Sequence, residues 1–213
     1  MPEADDRLLL EVLGLAQARG LLGPAPVSEH VRHAEGFLLA AESEGPPSTW
    51  DGPAIDLGSG GGIPGLVLAV LRPASRWILL DSRERSWRFL LDAIERLALG
   101  ARVEVVRERA EVVGRSGLRG CSPLVVARAF GPPAVTAECA APLLRRGGQL
   151  VVSNPPTIDV ATAWPSSALS SLGMGQARVG RGAGSSFTVV VQASDCPERF
   201  PRRSGVPAKR PLF

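Results

Sequence analysis

The sequence predicts an α/β fold: a mostly parallel twisted sheet with helices on both faces and an antiparallel hairpin at its C-terminal end. Three observations carry this. From Ala54 onward, short apolar runs alternate with segments of helical period, the pattern of βαβ units joined by right-handed crossovers. The stretch "DLGSGGGIPG", Asp56 to Gly65, lies between two apolar runs, so a buried strand empties into a glycine loop that opens a helix. Near the C-terminus the segments Gln176 to Val179 and Phe187 to Gln192 flank the flexible "GRGAGSS", a hairpin signal.

Taken in order, Asp5 to Ala18 places Leu9, Val12, Leu13 and Ala16 at helical spacing, with Asp5 or Asp6 as N-cap and Gly20 as stop. A second helix is expected from Ser28 to about Ala41, followed by the loop "ESEGPPSTWDGP". Strands are then expected at Ala54 to Leu57, Trp77 to Leu80, Val103 to Val106, Leu124 to Ala127 and Gln149 to Ser153. Helices are expected at Pro64 to Leu71, Arg83 to Leu97 and about Pro133 to Leu144. Beyond Pro155 the pattern loosens until the hairpin, Gln176 to Val179 against Phe187 to Gln192. The Pro- and Arg-rich end reads as extended. The expected organisation is an N-terminal helical extension over 1–45, a catalytic domain over 46–194 and a basic tail over 195–213.

With 213 residues, 45% of them hydrophobic, the chain can bury a full core. It has no run of 18 apolar residues and carries acids where a signal peptide would be positive, so the expectation is a cytoplasmic protein without membrane association. Three cysteines without metal-type spacing, and two histidines, favour neither a disulfide framework nor a metal site. The net charge of +3 permits a polyanionic partner. The cations cluster at Arg83, Arg85 and Arg88, at Arg145 and Arg146, and in the tail.

Five glycines in the ten residues from Asp56 carry an entropic penalty that a closely approaching ligand would explain. A strand-to-helix loop lies at the carboxyl edge of the sheet, where amides and a helix N-terminus face a crevice. Counted from Gly58, the dinucleotide pattern G-x-G-x-x-G puts its third glycine at position 63, where Ile63 stands. Asp56, two residues before Gly58, would repel a pyrophosphate and suit the sulfonium and ammonium of S-adenosylmethionine. Asp81, 23 positions after Gly58 at the end of "WILLD", can accept from both ribose hydroxyls. It can equally cap the helix that follows.

"DLGSGGGIPG", "LLDSRERSWRFL", "RAE" at Arg109 to Glu111, "VVARAF" at Val125 to Phe130, "VRHAEGF" from Val31 and the tail "PRRSGVPAKRPL" together resemble the bacterial 16S ribosomal RNA guanine-N7 methyltransferase family. That family also goes by the name glucose-inhibited division protein B. The resemblance implies a Rossmann-like class I S-adenosylmethionine-dependent methyltransferase acting on 16S ribosomal RNA or the small ribosomal subunit, with no obligate protein partner. It assigns Gly58, Gly60, Gly62 and Ile63 to the methionine and ribose side, Asp81 to the ribose, and Ala110 and Glu111 to the adenine; Asp56, Ser59 and Arg128 are expected to contact the cofactor with them. Arg128 would stand beside the transferred methyl as the catalytic residue. The region before the RH-containing helix is shortened, and the fifth strand ends in "VVSNPPT" where a lysine and glycine are usual. Both departures fall on substrate-side elements, so a small-molecule methyltransferase or a different RNA target is the alternative.

Guanine N7 carries an exposed lone pair, so transfer to it needs alignment rather than a base. "SNPP" resembles the motif of amino-group methyltransferases but follows the fifth strand instead of the fourth and lacks the aromatic. Cys121 and Cys139 read as small apolar fillers. In the tail, Arg202, Arg203, Lys209 and Arg210 are expected to track a phosphate backbone. Removal of the tail after Pro197 is expected to weaken RNA binding and leave cofactor affinity unchanged.

Overall fold

The computed structural model describes residues 3–43 and 51–213. Two long helices come first, α1 (Glu3–Ala18) and α2 (Val27–Ser43). The side chains of Asp5 and Asp6, expected as caps, lie outside the described residues, as do residues 44–50 of the expected loop and the 45/46 domain boundary. Alternation then sets in: β1 (Ala54–Leu57), α3 (Gly65–Leu71), β2 (Trp77–Leu80), α4 (Glu84–Arg96), β3 (Val103–Val106), α5 (Ala110–Val113), β4 (Ser122–Ala127), α6 (Pro133–Ala140) and β5 (Leu144–Ser153). Two short helices, α7 (Val160–Ala163) and α8 (Ser166–Ser171), lead into the hairpin β6 (Arg178–Gly182) and β7 (Ser185–Val191). A last turn, α9 (Val206–Lys209), lies close to the C-terminus.

The seven strands form one sheet in the order β3-β2-β1-β4-β5-β7-β6. The first five are parallel, and β7 and β6 are antiparallel to their neighbours. Chain order reverses between β1 and β4, which opens a crevice at their carboxyl ends. Successive side chains of a strand point to opposite faces, and the core divides accordingly. Leu79, Val126 and Val151 pack with α1 to α4, while Ile78, Leu80, Val125 and Leu150 pack with α5 to α8. Because Leu9, Val12, Leu13 and Ala16 of α1 share the first of these clusters with the sheet, the N-terminal helices belong to the same core.

Three expectations are corrected. The helix expected to reach Leu144 ends at Ala140, and Leu144 already begins β5, expected only from Gln149. The hairpin turn is not the seven-residue "GRGAGSS": the strands run into it and leave only Ala183 and Gly184, both with positive φ (50° and 77°), as a tight two-residue turn requires. The tail is not extended. Phe200, Pro201 and Pro207 are buried, and the Arg115 and Arg119 guanidiniums donate to its carbonyls. Arginine forks satisfy backbone acceptors that water would otherwise solvate, and the burial of Phe200 supplies the apolar anchor.

Candidate active site

The glycine loop is latched to the second strand: the Gly58 and Ser59 amides donate to the Leu80 carbonyl at 2.8 and 3.1 Å. Gly58 has φ +72°, and a Cβ there would fall 2.9 Å from the Phe130 ring. Bare backbone is therefore required at the sheet edge. Gly60 donates its amide to Asp81 Oδ2 at 2.9 Å, which ties the loop to the acid at the end of β2. Arg83 donates to the same carboxylate from its amide (2.9 Å), Nε (3.2 Å) and Nη2 (3.0 Å). Burial acts to raise the Asp81 pKa, but the Arg83 guanidinium and the Arg83 and Gly60 amides outweigh it and hold the carboxyl below its ordinary value. An ionised acceptor at this place suits a pair of hydroxyl donors, and the Arg83 side chain that now occupies it is 68% exposed.

A cleft of about 370 Å³ lies over these groups, within the size range of small-molecule sites. Of the residues expected to hold cofactor, it is lined by Gly58, Asp81, Ala110 and Glu111. Phe130, Pro132, Val135 and Ala208 complete its apolar wall. The remaining expected residues lie elsewhere. Ile63 is buried in the core of the first face, and the Ser59 hydroxyl donates to the Asp56 carbonyl at 3.0 Å. Gly62, at φ +92°, abuts Leu66. Asp56 is buried with Oδ2 accepting from the Gly65 amide at 2.9 Å, and Oδ1 has no partner. Burial pushes its pKa up to about 7. This acid supports the start of α3 rather than lining the cleft. Glu111 is committed to Arg109 Nη2 (3.0 Å) and the Gly205 amide (2.8 Å). Its carboxylate thus joins α5 to the tail at the edge of the cleft.

Arg128 lines a second cavity, about 550 Å³, with His30, His33, Glu29, Arg32 and Ser185. The next residues, Ala129 and Phe130, line the first cleft, so consecutive residues past the end of β4 line one space and then the other. The turn between them is tight, with Ala129 at φ 52°, a conformation a residue with a side chain adopts only at a penalty. Arg128 Nη2 lies 3.2 Å from His30 Nδ1, while His30 Nε2 lies 3.2 Å from the Gly23 carbonyl. Since the carbonyl can only accept, Nε2 carries the proton and Nδ1 accepts from the guanidinium. Arg128 Nη1 is buried without a partner. His33 Nδ1 lies 3.1 Å from Ser185 Oγ on the hairpin, and burial first, then the Arg128 and His30 charges, lower its pKa to about 4. This helix face is brought here by Gly36, where a Cβ would meet Phe187 at 2.7 Å and the Gly182 carbonyl at 2.8 Å.

The sequence reading gives neither histidine a role. The available signal is that the chain's only two histidines stand three apart on one helix, hence on one face. Arg202, expected at phosphate, is instead held by the buried Glu138, whereas Arg203, Lys209 and Arg210 are exposed. Asn154 of "SNPP" ties β5 to β7, accepting from Thr188 Oγ1 at 2.8 Å and donating to Ser186 Oγ at 3.2 Å. Cys139 touches the cleft, but burial raises its thiol pKa, so it is no nucleophile. Among the described residues no group of His, Cys, Asp and Glu is arranged for a metal, and no helix is long and apolar enough to cross a membrane.

A sheet of order β3-β2-β1-β4-β5-β7-β6 that is parallel but for β7, with a glycine loop after β1 and an acid after β2, is that of a class I methyltransferase, which uses S-adenosylmethionine. The family model "rRNA small subunit methyltransferase G" matches residues 9–155, and the chain belongs to that family. A ribosomal RNA small subunit methyltransferase G of Thermotoga sp. (strain RQ2) is 37% identical over 167 residues, 76% of this chain and 72% of its own. That of Syntrophomonas wolfei is 32% identical over 194 residues, 89% and 87% of the two chains. Among solved structures, cofactor-bound Rv0187 from MTB superimposes with a TM-score of 0.62 at 21% identity, over 91% of this chain and 94% of that one. A Corynebacterium glutamicum protein gives 0.58 at 22%, over 88% and 90%. These structures share the fold.

Proposed function

We propose that this chain methylates N7 of a guanine in 16S ribosomal RNA in the cytoplasm, taking the RNA alone or within the small ribosomal subunit. The observation that carries the reading is the junction at β4, where Arg128 faces one cavity and Ala129 and Phe130 face the other. In the cleft, Gly58, Asp81, Ala110 and Glu111 would hold S-adenosylmethionine, which supplies an electrophilic methyl group on a sulfonium. The larger cavity would receive the target base, unstacked from its RNA as enzymes acting on a base require.

No residue has to remove a proton, because guanine N7 offers a free lone pair. His33, with its pKa near 4, stays a neutral imidazole at pH 7. Arg128 Nη1, buried and unpartnered, is a donor suited to the guanine O6 acceptor that lies beside N7. A base held there can present N7 along the line to the methyl carbon, and catalysis then comes from alignment.

The test is transfer of label from methyl-labelled S-adenosylmethionine to 30S particles, to deproteinised 16S RNA and to a metabolite extract. Labelled 7-methylguanine is expected in the RNA after nuclease digestion. Label confined to the metabolite extract, or on another guanine atom, would overturn the proposal.

A further inference from the structure

The C-terminal segment is bound to the rest of the molecule by a series of directed contacts that end at the cofactor cleft. Arg119 donates from Nη2 to the Cys196 carbonyl at 2.7 Å and from Nη1 to the Phe200 carbonyl at 2.8 Å. Arg115 donates to the Pro201 carbonyl. Next in the chain, Arg202 meets Glu138 of α6 through its amide (2.8 Å), its Nε (2.8 Å) and its Nη2 (2.6 Å). The Glu138 side chain is 0% exposed. Three residues further on, the Gly205 amide donates to Glu111 Oε1 at 2.8 Å. Gly205, at φ +79°, then turns the chain into α9, whose Ala208 lines the cleft beside Ala110 and Cys139.

A buried ion pair gains little net stability, because desolvation offsets the attraction. What it does supply is position. A fork of hydrogen bonds fixes the segment where an apolar contact would let it slide. Here the fixed segment carries one wall of the cleft, and both acids that anchor it, Glu111 and Glu138, sit on helices that themselves line the cleft through Ala110 and Cys139.

We infer that residues Arg202–Lys209 form part of the cofactor site, with the Glu138–Arg202 pair acting as a positioning element that sets Ala208 against the adenosyl end of S-adenosylmethionine. This rests on the reading of the cleft as the S-adenosylmethionine site. It also reverses the expectation that the tail is dispensable for cofactor binding.

The experiment is calorimetric titration of the full-length protein with S-adenosylhomocysteine, paired with steady-state methylation kinetics. Failure of the wild type to bind would refute the cofactor reading itself and is read first. With binding established, Arg202→Ala is expected to weaken S-adenosylhomocysteine by about tenfold or more, corresponding to about 1.4 kcal/mol. The KM for S-adenosylmethionine should rise in step, while kcat at saturation stays near that of the wild type. Arg202→Lys should restore part of the loss. A general structural defect would instead lower kcat and thermal stability without this split.

Because Arg202→Ala leaves a buried carboxylate unpaired and can cost the fold, Ala208→Phe is the second arm. Ala208 is exposed, so a ring there narrows the cleft without entering the core. It should weaken binding with an unchanged melting temperature. Wild-type affinity in a folded Ala208→Phe protein, or a fall in kcat with unchanged KM in Arg202→Ala, would overturn the inference.

Discussion

At the level of single residues, two acids and a histidine show how burial separates groups that look alike in the sequence. Asp56 and Asp81 both belong to apolar strand segments. Asp81 is surrounded by donors and stays ionised, while Asp56 has one amide and an unpartnered oxygen, and burial pushes it up to about 7. Only Asp81 lines the cleft. Asp81→Ala should therefore lose charge-assisted hydrogen bonds to the ribose, a loss on the order of 2–4 kcal/mol. The check compares S-adenosylhomocysteine with its 2′,3′-dideoxy analogue. The wild type should prefer the former strongly and the variant should not; an undiminished preference would remove Asp81 from the ribose site.

His33 titrates in the opposite sense to Asp56. Its folded pKa of about 4 lies below the ordinary 6.5, so between those values the unfolded chain binds more protons. The stability it contributes is lost as pH falls through that window. Asp56, raised from 3.8 to about 7, makes the folded chain bind more protons there, and its contribution falls as pH rises. The wild-type curve combines the two slopes, and His33→Asn and Asp56→Asn should remove one each in urea titrations from pH 4 to 7. In Arg128→Ala the His33 pKa, followed by NMR, should move back up from about 4, because one lowering charge is gone while burial remains. Turnover in that variant should drop far more than its melting temperature.

At the level of elements, what is legible in the sequence is what short-range pattern encodes. The bounds of β1, β2 and β3 are as expected, because each is a short, mainly apolar run closed by a polar or glycine stop; β1 and β2 are buried throughout, while β3 is the edge strand with Glu104 exposed. The helices α5, α7 and α8 are absent from that pattern. Each is six residues or fewer, too short to display a period, and each exists because it covers the second face of the sheet. The tail defeats a local reading for a related reason: its partners Arg115, Arg119 and Glu138 lie more than 60 positions away in sequence. The glycine loop stands where the pattern puts it, but its glycines do different jobs. A Cβ on Gly65 would fall 2.5 Å from the Asp56 Cβ and 2.6 Å from Leu79 Cδ2. That glycine is a packing requirement between α3 and the sheet. Gly65→Ala should cost about 1–3 kcal/mol of stability through overpacking, read as a lower urea midpoint. A midpoint equal to that of the wild type would mean that α3 can shift without penalty.

At the level of the whole molecule, the site lies where the fold leaves its switch-point crevice, and the surfaces around it decide how RNA is met. Of the four tail cations expected at phosphate, Arg202 is neutralised by Glu138, while Arg203, Lys209 and Arg210 are exposed on the segment that walls the cleft. Arg32 lines the second cavity and is also exposed. Truncating the tail cannot measure its contacts with RNA, since it would also take away the cofactor wall. Replacing Arg203, Lys209 and Arg210 together by glutamine removes charge and leaves the Arg202, Gly205 and Ala208 contacts in place. Each cation that meets a phosphate contributes about 0.7 to 0.9 to the slope of log affinity against log salt. If all three do so, the slope for 16S RNA should fall by about 2 to 3 while the affinity for S-adenosylhomocysteine stays constant. An unchanged slope would take the tail off the RNA surface and leave it the cofactor wall alone. A changed cofactor affinity with an unchanged slope would show that these charges, and not only Arg202, hold α9 in place.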